Sequence, residues 1–439
     1  MKNTYTLYFF TCCGIITGLL GACNPNLVAP QPQTGNLVLD TYIAIGDGYS
    51  AGFRNTSIFD INSTKGLYQE AQLSSFPNLL VNQFNQATQL TSFESSKLSE
   101  NGSGYFELEE LISPICVDDN IKANFVEITP SDGWDAAATE PIIHQLGIPK
   151  LRLSQIGDSS SHNVFLNRLK NSPDQTYLDL IEESAPTFFT LYLGSRDILE
   201  YALRGGDDPS YPLISKEDFT DAYARILRIV FLKNPDILRG VVARIPDISE
   251  FPYFKSVSPL YEDRVNCNLT RREIYIETRD GRTVPATESV RILLPASYQL
   301  GENFGQGEDF GLRASNPIPA EMVLDNQEVN ELKIQIEVYN NIIDSLVNEV
   351  NQGYEDQRVA IARLDVLLEG LSPGLVEDGL DISATYLSGG FFSLDGLYLT
   401  PRGNAMISNE FIKAINGTKS FNAFLSPVNI INYSGVDFP

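Results

Sequence analysis

The chain predicts an α/β fold built on a parallel sheet, and two patterns carry that reading. Short apolar runs, from Val38-Leu39 through Ile45, from Phe188 through Leu193 and from Val241 through Ile245, have the length and continuity of strands buried on both faces. Between and after them lie stretches with helical spacing, at Phe76 to Phe84, Phe219 to Lys233 and Met406 to Ile415. Strands alternating with helices of this length make a parallel sheet with helices packed on it. In such sheets, functional groups gather at the carboxyl ends of the strands.

Taken in order, the chain opens with Lys2 and an apolar stretch from Leu7 to Leu20, shorter than the ~20 residues a spanning helix needs. It ends in Leu20-Gly21-Ala22-Cys23, which looks like a bacterial lipobox. On this reading residues 1–22 are a signal peptide, Cys23 is the lipidated first residue, and residues 23–37, rich in Pro, Gln and Asn, form a tether. Residues 38–439 contain no linker rich enough in Pro, Gly or Ser to divide them, and are expected to form a single domain. Two stretches look like insertions. Residues 101–140 are acidic and loop-like. Residues 251–319 carry Tyr253, Tyr261, Tyr275, Tyr298, Phe304 and Phe310, either a recognition surface or buried loop anchors. A long helix follows. Val329, Leu332, Ile336, Tyr339, Ile343, Leu346 and Val350 step by three and four into one apolar stripe, with Asp325 and Glu328 spaced as an N-terminal capping box.

Composition excludes several functions. The chain has 56 acidic and 31 basic residues, a formal charge of −25. Nucleic-acid binding relies on basic surface, and the same imbalance disfavours lying flat on anionic lipid. No His/Cys/carboxylate spacing resembles a zinc site and no glycine-rich phosphate loop occurs, so neither a metal nor a cofactor is expected. After processing, Cys116 and Cys267 remain as a candidate disulfide in a compartment that permits one, and the spacing does not decide whether they pair.

Four blocks carry the chemistry. They are Ala44-Ile45-Gly46-Asp47-Gly48-Tyr49-Ser50-Ala51-Gly52, Gln145-Leu146-Gly147-Ile148-Pro149, Gly194-Ser195-Arg196-Asp197, and Ser393-Leu394-Asp395-Gly396-Leu397-Tyr398. In order and spacing they resemble the motifs of the SGNH (GDSL-type) hydrolases, and Leu73 to Leu80, Pro186 to Leu191 and the closing Gly435-Val436-Asp437-Phe438-Pro439 resemble the lipoprotein branch of that family found in Bacteroidetes-type bacteria. The resemblance implies a three-layer α/β/α fold with a central parallel sheet. It also implies that three functional positions are lost. Gly48 stands where the family has its nucleophilic serine, Arg196 where it has an asparagine donor, and Tyr398 where it has the histidine base. Asp47, Gly147 and Asp395 are retained.

Acyl hydrolysis needs an activated hydroxyl, a base near neutrality and fixed oxyanion donors. Gly48 offers no hydroxyl, and a phenol with an ordinary pKa of about 10 is a poor base at neutral pH. The backbone N–H groups of Gly48 and Gly147 are what would remain as a weak cradle. Arg196 is expected to fill the old pocket and to bond Asp47 and Asp395. His144 and His162 are expected to be structural.

The function implied is that of a catalytically inactive outer-membrane lipoprotein, exposed at the cell surface. Its role would be that of an accessory or binding subunit of an outer-membrane β-barrel complex. The alternatives are a glycan- or lipid-binding lipoprotein that uses the vestigial pocket, and a divergent esterase that uses Ser50 or Tyr49.

Overall fold

The computed structural model describes residues 30–88, 91–112, 122–140, 142–265, 268–302 and 309–439. The leader, Cys23, Cys116, Cys267 and Phe304 lie outside the described residues.

Five strands form the central sheet: β1 (Tyr42–Gly46), β2 (Gln145–Gly147), β3 (Phe188–Tyr192), β4 (Arg239–Ala243) and β5 (Val359–Ala362). Their order is β5-β4-β3-β1-β2, and every pairing is parallel. The molecule is therefore mixed α/β with a five-stranded parallel sheet. The chain leaves β1 toward one edge and returns at β3 toward the other, so a crevice opens beyond Gly46 and Tyr192, where such sheets place their sites.

The helices that matter here are α1 (Gly48–Ala51), α2 (Phe76–Ala87), α3 (Tyr177–Ser184), α4 (Ser195–Ala202), α5 (Lys216–Val230), α6 (Asn326–Gln352) and α7 (Pro401–Gly417). Two of these helices, α2 and α7, meet through stacked Phe76 and Phe411, centroids 4.8 Å apart, while α5 and α6 meet through stacked Phe219 and Tyr339 at 4.1 Å. Successive side chains of one strand point to opposite faces. Phe188 accordingly touches Phe84 of α2, whereas Phe189 touches Phe231 just past α5. The capping box of α6 is formed: Asp325 accepts from the Gln327 and Glu328 backbone, and Glu328 accepts from Asp325.

Several boundaries differ from the sequence reading. β1 begins at Tyr42 rather than Val38, because Thr41 is tied to Thr187 by its backbone N–H at 3.0 Å before the ladder starts. β4 begins at Arg239 rather than Val241; that buried arginine reaches Asp356 at 2.5 Å and so enters the sheet with its charge paired. The stretch expected to be loop-like contains an antiparallel hairpin, Tyr105–Ile112 with Lys122–Ile128. The later insertion folds around a small core of its own, with Ile274, Ile276, Leu300, Phe310, Ile318 and Val323 packed together. Its aromatics include anchors: Tyr253 and Phe310 are buried, and Tyr261 is half-buried against that core.

Candidate functional site

All four sequence blocks reach the crevice, and the structure shows how each is occupied. Asp47 follows β1 and caps α1, accepting the Tyr49 N–H at 3.0 Å through Oδ1. Its Oδ2 is enclosed and has no hydrogen-bond partner. Burial pushes the carboxyl up to about 7, against the pull of the Tyr49 N–H hydrogen bond first and the Arg196 charge second.

Gly48 is a matter of space. A Cβ there would lie 2.8 Å from Cε1 of Tyr398 and 3.3 Å from its hydroxyl oxygen, closer than packed side chains tolerate. The ring of Tyr398, only 2% exposed, takes the room any side chain at position 48 would need. It is held there by Tyr49, at 5.1 Å, and edge-on by Phe53, at 5.0 Å. Burial drives the phenol far above its ordinary value, which removes it further from any role as a base. Tyr49 is equally committed, donating its hydroxyl to the Leu397 carbonyl at 3.1 Å.

Arg196 lies on α4 and is 4% exposed. Its guanidinium donates to Glu200 through Nε at 2.9 Å and again through Nη2, and Nη1 approaches the Tyr398 hydroxyl at 3.4 Å. Glu200 also receives Arg204 Nη1 at 2.5 Å, and Arg204 Nε reaches Asp208 at 3.3 Å. The arginine is thus inside the crevice, but its ion pair is with Glu200. It forms no hydrogen bond through its side chain to Asp47 or Asp395, contrary to the sequence expectation. A buried guanidinium takes the carboxylate that its own helix presents four residues on, because that partner needs no chain movement to reach it.

Glu200, Arg204 and Asp208 were missed in the sequence, although they were legible there: Arg196, Glu200, Arg204 and Asp208 alternate in sign at a spacing of four. Lys150 was missed too. Its backbone is left-handed at φ +62°, its ammonium donates to the Ile61 carbonyl at 3.1 Å, and burial followed by the Arg196 charge pushes it down to about 7.

Asp395 is fully buried and works for the backbone. Oδ1 accepts the N–H groups of Leu397 and Tyr398, both at 2.8 Å, and Oδ2 accepts that of Thr56 at 3.1 Å. The carboxylate therefore fixes the turn that presents Tyr398 and ties it to the loop after α1. Gly147 does not offer a free donor: its N–H goes to the Gln145 side chain at 3.2 Å. A Cβ there would fall 2.3 Å from the Ala51 nitrogen, so this glycine serves the close approach of β2 to α1. Of the two N–H groups expected to persist as a cradle, the one at Gly147 is thus taken.

Asp197, also buried, accepts the Leu153 N–H at 3.2 and 3.0 Å through its two oxygens, and burial pushes it up to about 7. The Ser50 hydroxyl is buried against Gly46, where a Cβ would lie 2.0 Å from it, and it faces no base. His144 accepts the Glu94 N–H at 2.8 Å through Nδ1, while His162 is exposed. Among the described residues no group of His, Cys, Asp and Glu could hold a metal ion.

Chemically, the crevice contains a plug. The space beside Gly48 is filled by the Tyr398 ring, the neighbouring Arg196 is paired with Glu200, and Asp395 holds a turn. Compared with known proteins, the chain matches no family model and no curated protein.

Proposed function

We propose that this protein is a catalytically inactive SGNH-hydrolase-like lipoprotein of the outer membrane, with the three-layer fold of that family, serving as an accessory or binding subunit of an outer-membrane β-barrel complex. The observation that carries the loss of activity is the contact between positions 48 and 398. A serine at 48 and the ring now at 398 cannot coexist without displacement, since a Cβ would sit 2.8 Å from the ring. The two replacements are therefore one structural change, and reversing either alone does not rebuild a triad.

The Arg196–Glu200 pair supports the same reading, because it is buried where a substrate would have to enter. Retention of a ligand in the old pocket is disfavoured for the same reason. The esterase alternative is disfavoured by Ser50 and Tyr49, neither of which faces a base. The subunit role rests on the lipobox-like leader and the resemblance to surface lipoproteins.

The test is affinity purification of the tagged lipoprotein from its own membranes in mild detergent, with copurifying proteins identified by mass spectrometry. Stoichiometric recovery of a β-barrel protein is the expected result, together with no turnover of short-chain esters. Recovery of the lipoprotein alone removes the subunit role, and ester turnover that is abolished by Ser50→Ala or Tyr49→Phe removes the inactivity.

A further inference from the structure

The face that α5 turns outward is a row of charges. Asp218, Asp221, Arg225 and Arg228 step by three, four and three along the helix, and all four are exposed. Leu232, 54% exposed, continues the row just past the helix end. Among the described residues, the side chains of Asp221, Arg225 and Arg228 form no hydrogen bond or ion pair, and Asp218 accepts the hydroxyl of Ser215, which precedes the helix, at 2.7 Å. Arg225 lies instead against Gly157, where a Cβ would come within 2.9 Å of its Nη2. Recesses of about 1440 Å³ flank the row, lined on their apolar side by Ile156, Leu227, Phe231, Leu346, Val350 and Tyr354.

Two properties of the row decide what fits it. It is ordered, with both carboxylates toward the helix start and both guanidinium groups toward its end. It is also symmetric, because 218 with 228 and 221 with 225 are both centred on position 223. A second α5 laid antiparallel about a two-fold axis at that position sets Asp218 against Arg228 of the second copy and Asp221 against its Arg225, and the symmetry repeats both pairs. A parallel helix would set like charges together, and a uniformly acidic or basic partner complements only half the row. The same two-fold carries Leu232 toward the start of the other helix, where Ile214 lines the recess. With 56 acidic and 31 basic residues, two copies repel over most of their surfaces, so self-association needs a face whose charges balance locally. The row balances; Asp158 and Glu349 also line the recesses but stand outside it. Exposed ion pairs contribute more to register than to affinity, so the apolar recesses supply the adhesion and the row fixes the alignment.

We propose that α5 is the contact of a two-fold homodimer in which the charged rows of two copies run antiparallel. The inference is independent of the state of the crevice and of any barrel partner. In sedimentation velocity the full chain in mild detergent is expected to populate a dimer by about 100 μM. Asp221→Arg sets guanidinium groups against each other across the axis, and Arg225→Asp sets carboxylates against each other. Each variant alone is expected to keep its melting temperature, since both positions are exposed, and to raise the dimer dissociation constant about tenfold or more. An equimolar mixture of the two restores opposite charges at both places and is expected to form the heterodimer about as tightly as the parent forms its dimer. A parent chain that stays monomeric over that range overturns the proposal. A dimer that either substitution leaves unweakened overturns it too, as do two variants whose mixture stays monomeric. Should either variant fail to fold, Arg228→Ala, which removes a charge without reversing one, is expected to weaken the dimer about threefold, and an unchanged constant overturns the proposal equally.

Discussion

Two arginines are buried on either side of the β2–α1 contact, and the fold treats them in opposite ways. Arg196 is surrounded by its own chain's answers: a carboxylate four residues along its helix, a phenol from the far end of the sequence, and a second arginine sharing the same glutamate. Arg168 has none of these. The contrast teaches that burial of an arginine does not by itself decide how its charge is met. What marks the crevice beyond β1 and β3 is that its arginine is paired and the space beside Gly48 is filled, although Asp47 Oδ2 and the Ser50 hydroxyl have no hydrogen-bond partner there.

The change that would most disturb this contrast is Glu200→Gln. It leaves Arg196 and Arg204 as buried or half-buried cations without their shared carboxylate, turning the crevice into a second case like Arg168. Removing one partner of a buried pair costs about 3–5 kcal/mol, and equilibrium urea unfolding is expected to show a loss in that range. A loss below about 1 kcal/mol would mean the pair behaves as a surface pair and the plug is not closed.

Next in size is the fit between Gly48 and Tyr398. Gly48→Ala alone drives a methyl group into the Tyr398 ring and is expected to destabilise by about 1–3 kcal/mol, the range for overpacked cores. In a Tyr398→Ala background the same methyl enters space already vacated, so its cost is expected to vanish or change sign. A double-mutant cycle measures this coupling, and additivity within about 0.5 kcal/mol would refute the steric interlock.

How much of this was readable beforehand follows from the range of each interaction. The capping box at Asp325 and Glu328 is a local pattern, and the structure forms it as spaced. β2 and β5 were not foreseen as strands because they have only three and four residues, too few to show a period. The start of β4 was hidden by Arg239, whose partner Asp356 is distant in sequence. In the site, Gly48, Arg196 and Tyr398 were visible one by one, but the contact that links Gly48 to Tyr398 spans most of the chain. Arg168 was invisible: it sits in Asn167-Arg168-Leu169-Lys170-Asn171, a run that reads as solvated surface.

The pH dependence of stability tests Asp47, whose window is shared by Asp197 and by Glu328 on α6. Asp47 has an ordinary carboxyl pKa of 3.8 when unfolded and is raised to about 7 by burial in the fold. Between those values the folded state holds more protons than the unfolded state, so stability falls as pH rises through the window. The slope from one such group is at most about 1.4 kcal/mol per pH unit, and Asp197 adds a decline of the same sign. Asp47→Asn is expected to flatten the Asp47 share, leaving stability near the parent's at pH 4 and above it at neutral pH. An unchanged slope, measured by urea midpoints across that range, would place the proton elsewhere.

Asp395→Asn should give the smallest effect, and it tests whether Asp395 serves the turn. An asparagine keeps one carbonyl oxygen for the Leu397 and Tyr398 N–H groups but turns an amine toward the Thr56 N–H, setting donor against donor. That mismatch destabilises. Burial already disfavours the aspartate's charge, however, and removing the charge works in the other direction. The two terms oppose, and a net loss of about 1 kcal/mol is expected, with the turn loosened enough for Tyr398 to show faster ring dynamics by NMR. An aspartate kept only as a relic of chemistry would move neither stability nor the ring, since nothing would hang from its oxygens. A loss larger than that of Glu200→Gln would reverse the order argued here and make the turn, rather than the arginine pair, the element that keeps the crevice shut.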